Sequence, residues 1–145
     1  MRTLFDVIVW ATDGSEAADS ALPHVKALAG RDGAKLIVVH VNERGVGRSA
    51  SYPADPEEEK LKAHVEQRVE ELQAAGIQSD VRVASIPVGG VAHLLADVAK
   101  DAGADLIVVG TRGQGMLTGI LLGSVTQRLL HIAPCAVLAV PPAGR

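Results

Sequence analysis

Aromatic side chains are almost missing from this chain of 145 residues: Phe5, Trp10 and Tyr52 make up 2% of it. So few flat rings exclude a stacking platform for single-stranded nucleic acid. Concentrated positive charge is missing too. Lys and Arg number 14 against 17 Asp and Glu, a net charge of −3, and no basic run exceeds two neighbours. Neutralising a nucleic-acid backbone needs clustered cations, so that class of partner is disfavoured. Cys135 is the only cysteine, which excludes an intrachain disulfide framework. It reads as a small buried hydrophobe between Pro134 and the last strand, because nothing nearby supplies the low-pKa setting of a reactive thiol. No apolar run approaches the roughly 20 residues of a membrane span. The first apolar block, ending before Asp13, is too short for a signal sequence. A soluble, cytoplasmic protein is expected. His24, His40, His64, His93 and His131 are dispersed without metal-ligand spacing, so no metal cluster is expected.

What the chain does have is apolar sequence in short blocks. Hydrophobic residues make up 48% of it, enough for one packed domain over residues 1–145, with no repeat or linker. Residues 7–11, 36–41, 106–109 and 136–140 are continuous apolar runs, the pattern of parallel strands covered on both faces. Residues 81–84 alternate, as an edge strand with one wetter face does. Ala18, Leu22, Val25, Leu28 and Ala29 keep helical spacing and predict a first helix over 16–29, bent near Pro23. Asp55 as N-cap, Pro56 at the first position and Glu58 as capping-box partner open a second helix. Its inner face is Leu61, Val65, Val69 and Leu72, and Gly76 stops it. A third helix runs from about 90 to 102, with Gly103 as its stop, and a fourth over 124–132, before Pro134. Residues 43–55 are the longest irregular stretch and predict a surface loop. Strand and helix thus alternate throughout, which demands a mostly parallel sheet with helices on both faces. Ligands bind such sheets beyond the carboxyl ends of the strands, where strand order reverses.

One motif sits at such a strand end. Gly110-Thr111-Arg112-Gly113 follows the run 106–109; nine residues later Gly123-Ser124 opens the last helix. Glycine lets backbone approach a phosphate where a Cβ would collide. A helix N-terminus offers unpaired N–H groups and partial positive charge. The spacing fits neither a Walker A loop, since no Gly-Lys-Ser/Thr occurs, nor the dinucleotide Gly-x-Gly-x-x-Gly. Phosphate binding is the reading; the competing one makes the glycines only strand exit, turn and helix entry. Ser124 can cap its helix, donate its hydroxyl to a phosphate oxygen, or both. Asp13 is either the cap of the first helix, with Glu16 as its capping-box partner, or a contact to adenosine or a phosphate-borne cation. Arg112 either pairs with phosphate or points into water. Arg128 is expected at the surface, and Glu57-Glu58-Glu59 complements a helix dipole. No nucleophile–base constellation is legible. Phosphoryl transfer wants a positioned lysine, a carboxylate pair and a base, so binding is better supported than turnover.

Five landmarks together resemble a universal stress protein domain of the ATP-binding subclass. They are Ala11-Thr12-Asp13-Gly14-Ser15, His40-Val41, the block 105–110, the glycine motif, and the closing Ala133-Pro134-Cys135-Ala136 with its strand to Pro141. The resemblance covers almost the whole chain outside 43–55 and departs at the bulky Trp10. It implies an α/β, Rossmann-like fold: an open five-stranded parallel sheet in the order 3-2-1-4-5. It implies Ala11, Asp13 and Val41 at the adenine end of ATP. Gly110, Arg112, Gly113, Gly123, Ser124 and Val125 would lie along the ribose and triphosphate, with Mg2+ or Mn2+ on the phosphates. A homodimer through the edge strand Ala136–Val140 and a regulatory role in stress adaptation are implied as well. ATP, AMP and cyclic AMP remain undivided. Two rivals stay open. One is a hydrolase or transferase of the same superfamily, although Asp13-Gly14-Ser15 has one glycine where the pyrophosphatase loop has two, and no His-x-Gly-His occurs. The other is a dimeric interaction module that binds no nucleotide.

Overall fold

The computed structural model describes residues 3–44, 56–87, 89–111 and 123–142. Five strands form one sheet: β1 (Val7–Thr12), β2 (Lys35–Arg44), β3 (Ser79–Pro87), β4 (Leu106–Gly110) and β5 (Ala136–Val140). All pairings are parallel, as the alternation of strand and helix demands, and the order is β3-β2-β1-β4-β5, as the family resemblance implies. After β3 the chain crosses to β4 on the far side of β1, so strand order reverses between β1 and β4.

Strand alternation sorts the core into two layers. Ile8, Trp10, Leu36, Val38, Leu106 and Val108 face one side, where α2 (Leu22–Asp32) contributes Val25 and α3 (Pro56–Ala74) contributes Val65, Val69 and Leu72. Val9, Ile37, Val39, Ile107 and Val109 face the other. There α4 (Val91–Ala102) contributes Leu95 and Ala99, and α5 (Ser124–Ile132) contributes Leu129. Because β1, β2 and β4 are buried on both faces, their sequences read as unbroken apolar runs. Trp10 is fully buried in the α2–α3 layer, where Ala21, Ala29 and Ala34 leave volume for its indole. Its Nε1 has no partner among the described residues. Among those residues no helix is long and apolar enough to cross a membrane.

Several local expectations are corrected. The first helix is two: α1 (Glu16–Asp19) ends, and α2 begins at Leu22 with Pro23 in its first turn. A proline ring collides with the carbonyl four residues earlier, here Asp19, so a continuous helix breaks there rather than bends. β2 runs on through Glu43 and Arg44, paired with β3 up to Arg44↔Pro87. Residues 43 and 44 of the expected loop are therefore strand, and 45–55, with the predicted cap Asp55, lie outside the described residues. β3 is longer than its alternating core and poorly covered, with Val81 and Val83 38% and 49% exposed. It pairs on one side only, at the sheet edge. Elsewhere the predicted stops hold: Gly103 ends α4 at φ 67°, and Gly76, at φ 87°, follows the end of α3; α2 runs past the expected 29 to Asp32, where Gly33 ends it at φ 65°.

Candidate functional site

A cavity of about 370 Å³ opens beyond the carboxyl ends of β1, β2 and β4, at the point where strand order reverses. Ala11, Thr12 and Asp13 come from the end of β1, and Val41 and Asn42 from β2. Glu58 and Leu61 of α3 form one wall, Val91 and Leu95 of α4 another. The last wall is the end of β4 (Val109, Gly110, Thr111) and the start of α5 (Gly123 to Thr126). Of the predicted site residues, Ala11, Asp13, Val41, Gly110, Gly123, Ser124 and Val125 all line this one space. Arg112 and Gly113 lie outside the described residues.

The α5 wall is built from backbone. The Thr111 N–H donates to Val140 O (3.0 Å), and the Gly123 N–H donates to Thr111 O (2.9 Å), joining the end of β4 to the start of α5. Thr126 Oγ1 donates to Gly110 O (3.1 Å), tying α5 to the end of β4. Gly123, not Ser124, is the N-cap of α5, and no side chain caps it. Gly123 O accepts the first intrahelical bond, from Gln127 N–H. The N–H groups of Ser124, Val125 and Thr126 consequently have no acceptor within the helix. No acidic residue occupies the first turn, so the positive end of the α5 dipole is not neutralised by its own side chains. On a helix of nine residues, a terminus of this kind is able to receive an anion.

The β1–α1 turn is built from side chains. Thr12 Oγ1 accepts the Gly14 N–H at 3.0 Å, and Asp13 Oδ1 accepts the Ser15 N–H at 2.9 Å. Ser15 Oγ accepts the Ala18 N–H at 3.2 Å, so Ser15 rather than Asp13 serves the first turn of α1. Asp13 instead closes an Asx turn at the cavity rim. Gly14 has φ +87°, and a Cβ there would stand 2.8 Å from Leu61 Cβ. Only glycine lets α3 come this close.

The pairing of two residues, Glu58 and His40, escaped the sequence. Glu58 was expected to close a capping box, but its Oε1 lies 2.6 Å from Nε2 of His40. His40 is fully buried within β2, with Nδ1 3.4 Å from Thr12 O. The signal available was positional only, since His40 precedes Val41 in a run of otherwise apolar residues. Further along α3, His64 Nε2 meets Asp19 Oδ2 at 2.5 Å, with Arg68 Nε 3.4 Å from the same oxygen. α3 thus holds the turn and α1 through side chains on three successive turns.

The cavity is chemically polarised. Carboxylates (Asp13, Glu58) sit on the β1–α3 side, aliphatic side chains (Ala11, Val41, Val91, Leu95) between, and helix-terminal amides on the α5 side. The residues present fit an adenine nucleotide: an apolar slot for a flat base, acceptors for nucleoside donors, amides for phosphate. The volume suits a small-molecule site. Among the described residues no three His, Cys, Asp or Glu side chains converge, so a cation here would have to be held largely by the phosphates. Cys135 packs against the α4–α5 layer; burial, and then the charge of Asp105, push its thiol up, away from nucleophilic use. Arg128 is exposed on α5.

Residues 4–141 match the family model described as the universal stress protein family. A universal stress protein of Thermus aquaticus is 37% identical over 142 residues, covering 94% of this chain and 99% of that protein. Universal stress protein MJ0577 of Methanocaldococcus jannaschii is 29% identical, with 97% of each chain covered. The solved structure of MJ0577 matches with a TM-score of 0.76 over 98% of this chain and 99% of that one. A universal stress protein solved in complex with cAMP is 28% identical, with a TM-score of 0.65 over 94% and 97% of the two chains. On this evidence the chain belongs to the universal stress protein family.

Proposed function

We propose that this chain is a regulatory, ATP-binding universal stress protein, folded as a single cytoplasmic domain and acting in stress adaptation. The observation that carries the reading is the meeting, in one cavity, of an apolar slot and the α5 amides that have no acceptor within their own helix. Adenine would lie against Ala11 and Val41 near Asp13. The triphosphate would run past Gly110 to Gly123, Ser124 and Val125, with Arg112 and Gly113 of the glycine motif as further contacts. Mg2+ or Mn2+ would ride on the phosphates, supplying charge neutralisation there. The cAMP complex of a relative supports adenine-nucleotide binding in this fold. The reading is one of binding, with nucleotide occupancy setting what the protein associates with.

A homodimer belongs to the same proposal. β5 pairs only with β4, and along it Ala136 is exposed and Val137, Leu138 and Ala139 half-buried. An apolar edge of this kind is an aggregation hazard unless a partner covers it, and a second copy of β5 would do so. Mass spectrometry of the small molecules that accompany natively purified protein tests the ligand. ATP is expected; protein that carries none and does not bind added ATP overturns the reading.

A further inference from the structure

Beyond the phosphate path, the structure singles out Glu58, on the reading that the cavity takes an adenine nucleotide. Three glutamates crowd the first turn of α3, and dipole complementation explains any of them. Glu58 alone of the three lines the cavity. Its side chain is only 20% exposed, and Oε1 is anchored at 2.6 Å by His40, a ring with no solvent exposure at all. With the carboxylate ionised, Nε2–H donates to Oε1 and fixes the plane of the group. Among the described residues Oε2 has no protein partner, so an oriented acceptor is left beside the nucleoside half of the cavity. A carboxylate in that setting is costly unless a donor meets it.

We propose that Glu58 is a specificity-determining residue whose second oxygen accepts a hydrogen bond from the nucleoside, from either the exocyclic amine of the base or a ribose hydroxyl. His40 is its positioning residue. The buried ring holds Oε1 and so presents Oε2 at a fixed place; a guanine-type or unsubstituted base, or a sugar lacking the hydroxyl, would leave that oxygen unmatched.

Calorimetric titration separates the possibilities with four ligands. These are ATP, purine riboside triphosphate (no exocyclic amine), and the two deoxyadenosine triphosphates, each lacking one ribose hydroxyl. In the natural protein the analogue lacking the matched donor should bind about tenfold more weakly than ATP, equivalent to about 1.4 kcal/mol. In Glu58→Ala that difference should vanish, because ATP weakens and that analogue does not. Loss of discrimination against the purine riboside assigns the amine; loss against one deoxynucleotide assigns that hydroxyl. Glu58→Gln keeps an oxygen for His40, so it guards against a folding defect, and it should lose the same discrimination. His40→Leu should also reduce the ratio of ATP to analogue affinity, a quantity that general destabilisation does not move. If the Glu58 variants shift all four ligands by one factor, or none, the inference is overturned while the nucleotide reading stands. If the natural protein binds none of the four, the nucleotide reading falls and takes the inference with it.

Discussion

On the α5 side of the cavity, backbone carries the geometry: Thr111 to Val140, Gly123 to Thr111, with one hydroxyl, Thr126, returning to Gly110. On the α3 side the work falls to side chains from distant positions: Glu58 to His40, Leu61 against Gly14, His64 and Arg68 to Asp19. The first wall tolerates most side-chain changes and is vulnerable only where a Cβ would enter the path of a ligand. The second depends on particular residues, each of which can be removed singly. An anion site made of amides suits any phosphate; discrimination between nucleosides has to come from the side-chain wall.

The contrast can be strained from its tightest point outward. Gly14→Val should be the most damaging change, because it combines a left-handed φ with overlap on Leu61. The two costs together amount to about 2–5 kcal/mol, read as a lowered urea midpoint. Asp19→Ala should cost less, about 1 kcal/mol, since its partners His64 and Arg68 are partly solvated and water replaces some of what is lost. Circular dichroism through a thermal ramp reads that difference. A loss at position 19 matching that at position 14 would mean that ion pairing, not close approach, fixes α3.

The smallest effect lies away from both walls. Asp32 Oδ2 accepts the N–H groups of Leu4 and Phe5, and Arg31 pairs with the same carboxylate. The Arg31 guanidinium first, and the Phe5 amide after it, hold this carboxyl well below the usual carboxylate range. A folded-state value below the unfolded one, about 3.9 for Asp, contributes stability that is complete above that pH and disappears as pH falls toward the folded value. Asp32→Asn should therefore shallow the loss of stability between about pH 4 and pH 2 and leave the cavity untouched. An unchanged acid limb would show that the N-terminal tether contributes nothing.

The same contrast explains what could be read from sequence. The α5 wall was legible because its parts are local: a strand ending in Gly110 and a helix opening at Gly123-Ser124 are visible in sequence order. The parallel sheet was legible for a related reason, since burial on both faces imposes unbroken apolar runs. The α3 wall was not. Its contacts join residues 18 and 45 positions apart, and a glutamate near a helix start looks like a dipole partner wherever its carboxylate finally goes. The capping alternatives for Asp13 and Ser124 fail for the same reason. Capping preference is a local rule, and a shift of one or two residues in the helix start hands the role to Ser15 or Gly123. Pro23 was seen, but its consequence depended on which carbonyl lay four residues before it.

Calorimetry of ATP with Gly123→Val tests the anion-binding end of the cavity most directly. Gly123 has φ −73° and ψ 161°, a conformation open to any residue, so the variant should fold and melt like the natural protein. Its side chain would stand at the mouth of α5, between the amides and any phosphate. A folded variant that no longer binds ATP is the expected result; a folded variant with undiminished affinity would contradict the account.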